Sequence, residues 1–377
     1  MKVAFYAPLK SPDHPTPSGD RLIGRMLLVA LRAGGHDVTL VSRLRAFDGQ
    51  GSARRQARIA AFGAWQAGRL LRRFDRDVEK PDVWLTYHLY HKAPDWIGPV
   101  VARALAIPYC VAEASSSARA AHGPWAVGHR AVVEALAQAA LVISLNPKDE
   151  PGIRQHVGAA TRLVRVAPFL DGAPFRAAAG PRTATRARLA AQFGLDAGRP
   201  WLLAVGMLRA GDKAASFAVL ARALALLRDR PWQLIVVGDG VARGTVEADF
   251  TGFGARVRFV GQQPVEAVAD FMAASDLLVW PAINEAIGMV FIEAAMAGLA
   301  AVGADRPGIA AVVEHGVTGF LVPEHDASAF AAATTALLDD APLRARMGVA
   351  AAARAAAQND LRTAGALVCR ELEAVAR

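Results

Sequence analysis

Cysteine is nearly absent from this chain. Two thiols in 377 residues, Cys110 and Cys369, exclude a disulfide framework and a cysteine-based zinc site, and they suit a reducing compartment. Long hydrophobic runs are missing too. No uninterrupted apolar stretch approaches the roughly 18 to 20 residues of a membrane-spanning helix. The N-terminal segment turns polar by Lys10, too early for a secretory leader. A cytoplasmic protein is expected, soluble or lying on a membrane surface. Charged residues make up 20 % and hydrophobic ones 53 %, a globular balance that excludes wholesale disorder.

What is present begins with length, which is too great for one ordinary domain and suits two. The net charge of +9 is lopsided: residues 1–170 hold 23 Lys and Arg against 13 Asp and Glu, the remainder 20 against 21. A basic first half suggests an anionic partner, whether lipid, nucleic acid or a charged acceptor. Drift in an Arg-rich sequence is the plain alternative.

Short apolar runs alternate with longer helical patterns, the signature of βαβ units and parallel sheets. Strands are expected at Lys2–Tyr6, Val38–Val41, Val83–Thr86, Tyr109–Ala112, Leu141–Ser144 and Leu163–Val166. The alternation restarts with Trp201–Val205, Gln233–Val237, Val257–Val260, Leu277–Trp280 and Ala300–Val302. Between the two sets, Asp171–Pro200 carries Gly, Pro and Arg without a strand pattern. That gives an N-terminal Rossmann-like domain over 1–170 and a second over 171–359, with a last helix at about 360–377 able to return to the first. Helices are expected at Arg21–Ala33, Trp125–Gln138, Phe217–Arg228 and Met289–Ala297, and Asn146 is a candidate N-cap. Ligands in open α/β sheets bind at the carboxyl ends of the strands.

The densest signal lies in Leu277–Phe320. A buried strand is broken by Pro281, a polar loop carries Glu285, and Gly288 opens a helix that carries Glu293. A carboxylate accepts hydrogen bonds from two neighbouring hydroxyls, which suits the vicinal diols of a sugar or ribose. The N–H groups around Gly288, Met289 and Val290 lack helical partners and are able to bind further oxygens. Two helix-start acids stabilised by the macrodipole would be the ordinary reading of either glutamate alone. The order of strand, proline, glycine and a following Ala-Gly strand favours the site.

At this point the chain resembles the retaining glycosyltransferases of family 4, on Pro281, Glu285, Gly288, Glu293, Ala294, Gly298 and the run Gly316–Pro323. The resemblance implies the GT-B fold, two Rossmann-like domains facing each other across a cleft, with a nucleotide-diphosphate sugar as co-substrate. It implies that Glu285 contacts the donor sugar and Glu293 the ribose. In the loop after Trp201–Val205 it implies that Arg209 and Lys213 bind the diphosphate, whose charge grows as the glycosidic bond breaks. Gly238-Asp239-Gly240 matches the family's glycine turn, and Gly261-Gln262 the place beside the base. In Pro17-Ser18-Gly19-Asp20, Gly19 matches the loop near the donor phosphates and acceptor. His14 on that loop reads as solvent-exposed. His88 and His91 end a buried strand, where His88 would orient or protonate an acceptor hydroxyl, or else be structural. The family's usual histidine after Tyr109–Ala112 is missing, and Glu113 is its substitute.

Asp75-Arg76-Asp77 imitates a metal-binding DxD but sits at a helix end, so catalysis without a metal is expected. Residues 54–76 read as one helix. At about 100° per residue its seven arginines fall within roughly a 100° arc that also holds Phe62 and Trp65. Such a face suits an anionic membrane surface; solvation or nucleic acid are the alternatives. The expectation is a retaining, peripheral transferase acting on a cell-envelope polysaccharide or glycolipid precursor, with no nucleic-acid partner. A sugar-nucleotide epimerase of the same fold, active on donor alone, and a non-catalytic nucleic-acid-binding protein are the rivals.

Overall fold

The computed structural model describes residues 1–16, 18–76, 80–178 and 181–376. The chain divides into two compact units, Met1–Phe169 with Leu361–Arg377, and Leu170–Asp360. Each is built on a six-stranded, all-parallel sheet.

In the first unit the strands are β1 (Lys2–Tyr6), β2 (Asp37–Ser42), β3 (Val83–Leu89), β4 (Tyr109–Ala114), β5 (Leu141–Ser144) and β6 (Arg162–Arg165), in the order β2-β1-β3-β4-β5-β6. The inner strands read as continuous apolar runs because helices cover both faces of a parallel sheet. Val3 pairs with Val38 on one side and Val83 on the other. The order reverses beside β1: the chain leaves it toward β2 and later returns to place β3 against its other edge. The loops after β1 and β3 therefore diverge, opening a crevice at the carboxyl edge. The helix Leu361–Ala376 packs on the helix Gly19–Ala33, with the Cys369 thiol 3.6 Å from the Ala30 carbonyl. Arg162 donates to the buried Glu371 at 2.6 Å beside it.

The second unit carries β7 (Trp201–Val205), β8 (Gln233–Val237), β9 (Val257–Gly261), β10 (Leu277–Trp280), β11 (Ala301–Ala304) and β12 (Gly319–Val322), ordered β12-β11-β10-β7-β8-β9. This is the doubly wound dinucleotide-fold order, and its reversal falls between β7 and β10, where Leu202 pairs with Leu277. Trp201, Trp232 and Trp280 are completely buried in this unit. Asp171–Pro200 shows no strand among its described residues, in line with the sequence reading, and carries the helices Ala173–Ala177 and Arg182–Phe193. Strand β12 escaped notice because its four residues follow a glycine-rich turn and show no alternation.

Candidate active site

The carboxyl edge of the second sheet gathers the residues that the Leu277–Phe320 pattern singled out. Beyond β10 the backbone turns sharply, and Ala282 and Asn284 adopt φ of 53° and 50°. Left-handed backbone at two non-glycine residues costs of order 1 kcal/mol or more each and persists only where the surroundings enforce it. Here the enforcement is visible. The buried Ile283 N–H donates to Ser216 Oγ at 3.0 Å, and the Asn284 N–H donates to Glu324 Oε1 at 2.5 Å. Arg306 bridges Glu324 at 2.5 Å and the Asn284 side-chain oxygen at 3.3 Å, while Asn284 Nδ2 donates to Asp212 at 3.2 Å. Arg306 and Glu324 follow β11 and β12 and were missed in the sequence; the unread strand β12 hid their shared edge.

That bracket delivers Glu285 to Lys213. The Lys213 ammonium, on the first turn of the helix Asp212–Ala225, donates to Glu285 Oε2 and lies 5.2 Å from the centre of the Trp280 ring. The pair sits at the switch point because one partner follows β7 and the other β10. Arg209, on the same loop, is exposed and has no ion-pair partner among the described residues.

Glu293 lies within the helix Met289–Met296, capped by Gly288 at φ 66°. A side chain at Gly288 would collide with Ile309, 2.4 Å from the ideal Cβ position. Burial pushes the Glu293 carboxyl up to about 7. No hydrogen-bond or ion-pair partner for it exists among the described residues, nor for the Met289 and Val290 N–H groups. A partly buried acceptor and donors without helical partners thus lie within the first turn and a half of one helix, which suits a polar ligand.

The glycine turn is explained by close approach. Gly238, at φ 141°, donates its N–H to the Gly261 carbonyl at 2.9 Å, and any Cβ there would lie 1.9 Å from the Gly206 carbonyl oxygen. Leu208 N–H donates to the Asp239 carbonyl at 3.0 Å. These contacts stitch together the loops after β7, β8 and β9. Gln262 is exposed beside Gly261.

In the first unit the crevice between β1 and β3 holds a matching contact of opposite polarity. Ser18 caps the helix Gly19–Ala33 by accepting from the Arg21 N–H, and Asp20 stands in its first turn; Pro17 lies outside the described residues. Asp20 Oδ1 meets His88 Nδ1 at 2.9 Å. Burial alone would lower the His88 pKa, but the bond to Asp20 and the charges of Asp20, Glu113 and Asp149 raise it overall. Glu113 neighbours His88 across the sheet, flanked by the pairs Tyr87–Ala112 and Leu89–Ala114. Both adopt left-handed backbone, φ 62° and 61°. Glu113 accepts from the Leu145 N–H at 3.0 Å, and burial pushes its carboxyl up to about 7, against the opposing charge of His88. His14 is partly buried and accepts from the Thr16 N–H at 3.1 Å. His91 packs edge-on to Trp125, its Nδ1 buried without a partner.

No group of three or more His, Cys, Asp or Glu side chains among the described residues is arranged to hold a metal. Asp77 of the DxD lookalike lies outside those residues. None of the described helices is long and apolar enough to cross a membrane.

Two doubly wound parallel units in tandem, each with a polar contact at its switch point, define the GT-B architecture. The same fold is seen in the Anabaena protein HepE in complex with UDP and glucose, at a TM-score of 0.73 and 20 % identity over 99 % of this chain and 100 % of that one. Residues 199–340 match the family described as glycosyl transferases group 1. The D-inositol 3-phosphate glycosyltransferase of Streptomyces scabiei is 32 % identical over 79 % of this chain and 69 % of its own length. The alpha-D-kanosaminyltransferase of Streptomyces kanamyceticus is 31 % identical over 64 % of this chain and 61 % of its own. The chain belongs to the group 1 glycosyltransferases. Over these and similar curated relatives it spans between 35 and 69 % of their length.

Proposed function

We propose that this chain transfers a sugar from a nucleotide-diphosphate donor to a hydroxyl acceptor, with retention of anomeric configuration and without a metal. The observation that carries this reading is the Lys213–Glu285 contact at the switch point of the second unit, on the sheet edge that also bears Glu293, which has no partner among the described residues. Glu293 accepts the ribose hydroxyls, and the N–H groups of Met289 and Val290 bind further oxygens. Lys213 exchanges Glu285 for the diphosphate, which releases Glu285 to the donor sugar's hydroxyls. Arg209 adds its charge to the same phosphates.

The bond from the anomeric carbon to the diphosphate oxygen breaks as the acceptor oxygen bonds on the same face. The acceptor proton passes to the departing oxygen, whose negative charge Lys213 stabilises, so no protein nucleophile is needed. On the first unit, Gly19, His88 and Glu113 serve the acceptor. Relatives named as kanosaminyl and D-inositol 3-phosphate transferases support transfer over epimerisation, and the HepE complex supports a uridine nucleotide.

The acceptor is a cell-envelope polysaccharide or glycolipid precursor, met at the cytoplasmic face of the membrane. The helix Ala53–Arg76 supports this location. Phe62 and Trp65 are 47 % and 52 % exposed and stack at 5.2 Å. Arg54, Arg58, Arg69 and Arg72 have no carboxylate partner among the described residues, and Gln56, Ala67, Leu70 and Phe74 face inward. An aromatic pair among uncompensated guanidiniums fits anionic headgroups over an apolar interior.

A thermal-shift screen with UDP, GDP, ADP and their sugar conjugates tests the donor reading, since a ligand that binds the native state raises its melting temperature. One nucleotide family is expected to stabilise wild type and to lose its effect in Glu293→Gln. Indifference to every nucleotide would sink the proposal.

A further inference from the structure

The two switch points carry opposite charge patterns, and the difference bears on the acceptor; this step rests on the transferase reading. In the second unit the first turn of the helix after β7 presents a cation, Lys213, to an acid after β10. In the first unit the equivalent turn presents an acid, Asp20, to a base after β3, His88. The first turn of the helix Gly19–Ala33 thus carries a carboxylate of its own, which opposes a phosphate at that end.

Three polar atoms around this contact remain unused. Glu113 is 6 % exposed and spends Oε2 on the Leu145 N–H, leaving Oε1 without a partner among the described residues. His88 spends Nδ1 on Asp20, leaving Nε2. Tyr87 is 1 % exposed, yet its hydroxyl has no hydrogen bond among the described residues, and the charges of Asp20 and Glu113 both act on it. Neither the Tyr87 hydroxyl nor Glu113 Oε1 is fully enclosed, although both residues are buried, so these atoms stay open to the hydrogen-bonding groups of a ligand. The surrounding charges are Asp20, Glu113 and Asp149 on the acidic side, with His88 and Lys10 opposing them.

We infer that the acceptor is a polyol, uncharged or amine-bearing, whose reacting hydroxyl lies between His88 Nε2 and Glu113 Oε1, and that this edge rejects an acceptor carrying a phosphate there. A hydroxyl accepts from the imidazole and donates to the carboxylate at once. An ammonium group gains further from three carboxylates, whereas a phosphate monoester brings like charge to them. The chain would then differ from those relatives that are named for D-inositol 3-phosphate.

The imidazole N–H of His88, assigned by its loss in His88→Gln, reports binding by nuclear magnetic resonance in the full chain without any donor. Titrations use myo-inositol, scyllo-inosamine and D-inositol 3-phosphate. Inositol and inosamine are expected to saturate the His88 shift at least about tenfold below the phosphate ester, and Glu113→Gln to narrow that gap. Equal or tighter binding of D-inositol 3-phosphate overturns the inference, as does a His88 signal that none of the three moves. The nucleotide screen is read separately. A chain that binds UDP but prefers the phosphate ester loses only the acceptor assignment, and one that binds no nucleotide loses the transferase reading itself.

Discussion

Replacing Glu293 by glutamine should make the protein more stable and a worse binder of nucleotides. The native carboxyl takes up its proton below about 7, whereas the unfolded chain does so below its ordinary 4.5. Between these values the native state binds more protons. Stability therefore falls as pH rises through this window and stays lowered above it. The gap is worth at most roughly 3.5 kcal/mol at about 1.4 kcal/mol per pKa step. Because Glu293 is only partly buried, about 1 to 2 kcal/mol is the expected gain from removing the charge. For a unit of this size that raises the melting temperature by about 2 to 8 °C at pH 8. The advantage should shrink as pH falls from about 7 and vanish below about 4.5, where both states of the wild type become protonated. Nucleotide affinity should fall about tenfold or more in the variant, since an amide is a weaker acceptor of two hydroxyls. Scanning calorimetry across pH 4 to 8, paired with nucleotide titrations, measures both quantities. A variant no more stable than wild type at pH 8, or a gap unchanged by pH, refutes the reasoning.

Other substitutions probe neighbouring claims. Lys213→Ala should lower turnover by about a hundredfold or more, the scale of losing one donor to a developing oxyanion; an unchanged kcat would remove Lys213 from the reaction. Gly238→Ala should lose at least about 1 kcal/mol through left-handed strain, together with the clash with the Gly206 carbonyl. A denaturation midpoint equal to wild type would deny that close approach. A triple variant with Arg58, Arg69 and Arg72 changed to Glu should leave phosphatidylglycerol vesicles. Each cation near such a surface is worth about 1 kcal/mol, so equal co-sedimentation with wild type would end the membrane reading.

Much of the fold is local information. Runs such as Leu141–Ser144 and Trp201–Val205 coincide with strands to the residue because short apolar segments between helical patterns have few other places to go. The turn before Met289–Met296 is equally local: Pro281 ends a strand and Gly288 supplies a left-handed residue that opens a helix. β12 is the instructive failure, a strand of four residues made by pairing with β11 rather than by any pattern of its own.

Sequence by itself determined two parallel α/β units, the edge to which Glu285 and Glu293 belong, and the amphipathic face of the helix Ala53–Arg76. Which side chains meet was decided only by the tertiary structure. Lys213 and Glu285 lie 72 residues apart and Asp20 and His88 lie 68 apart; each pair meets because strand order reverses between β7 and β10 and between β1 and β3. The same holds for Arg306 and Glu324, which brace a strained loop from two other strand ends. Periodicity and turn chemistry act over a few residues and fix elements. Contacts between loops depend on the order in which strands stack, and that is a property of the whole sheet.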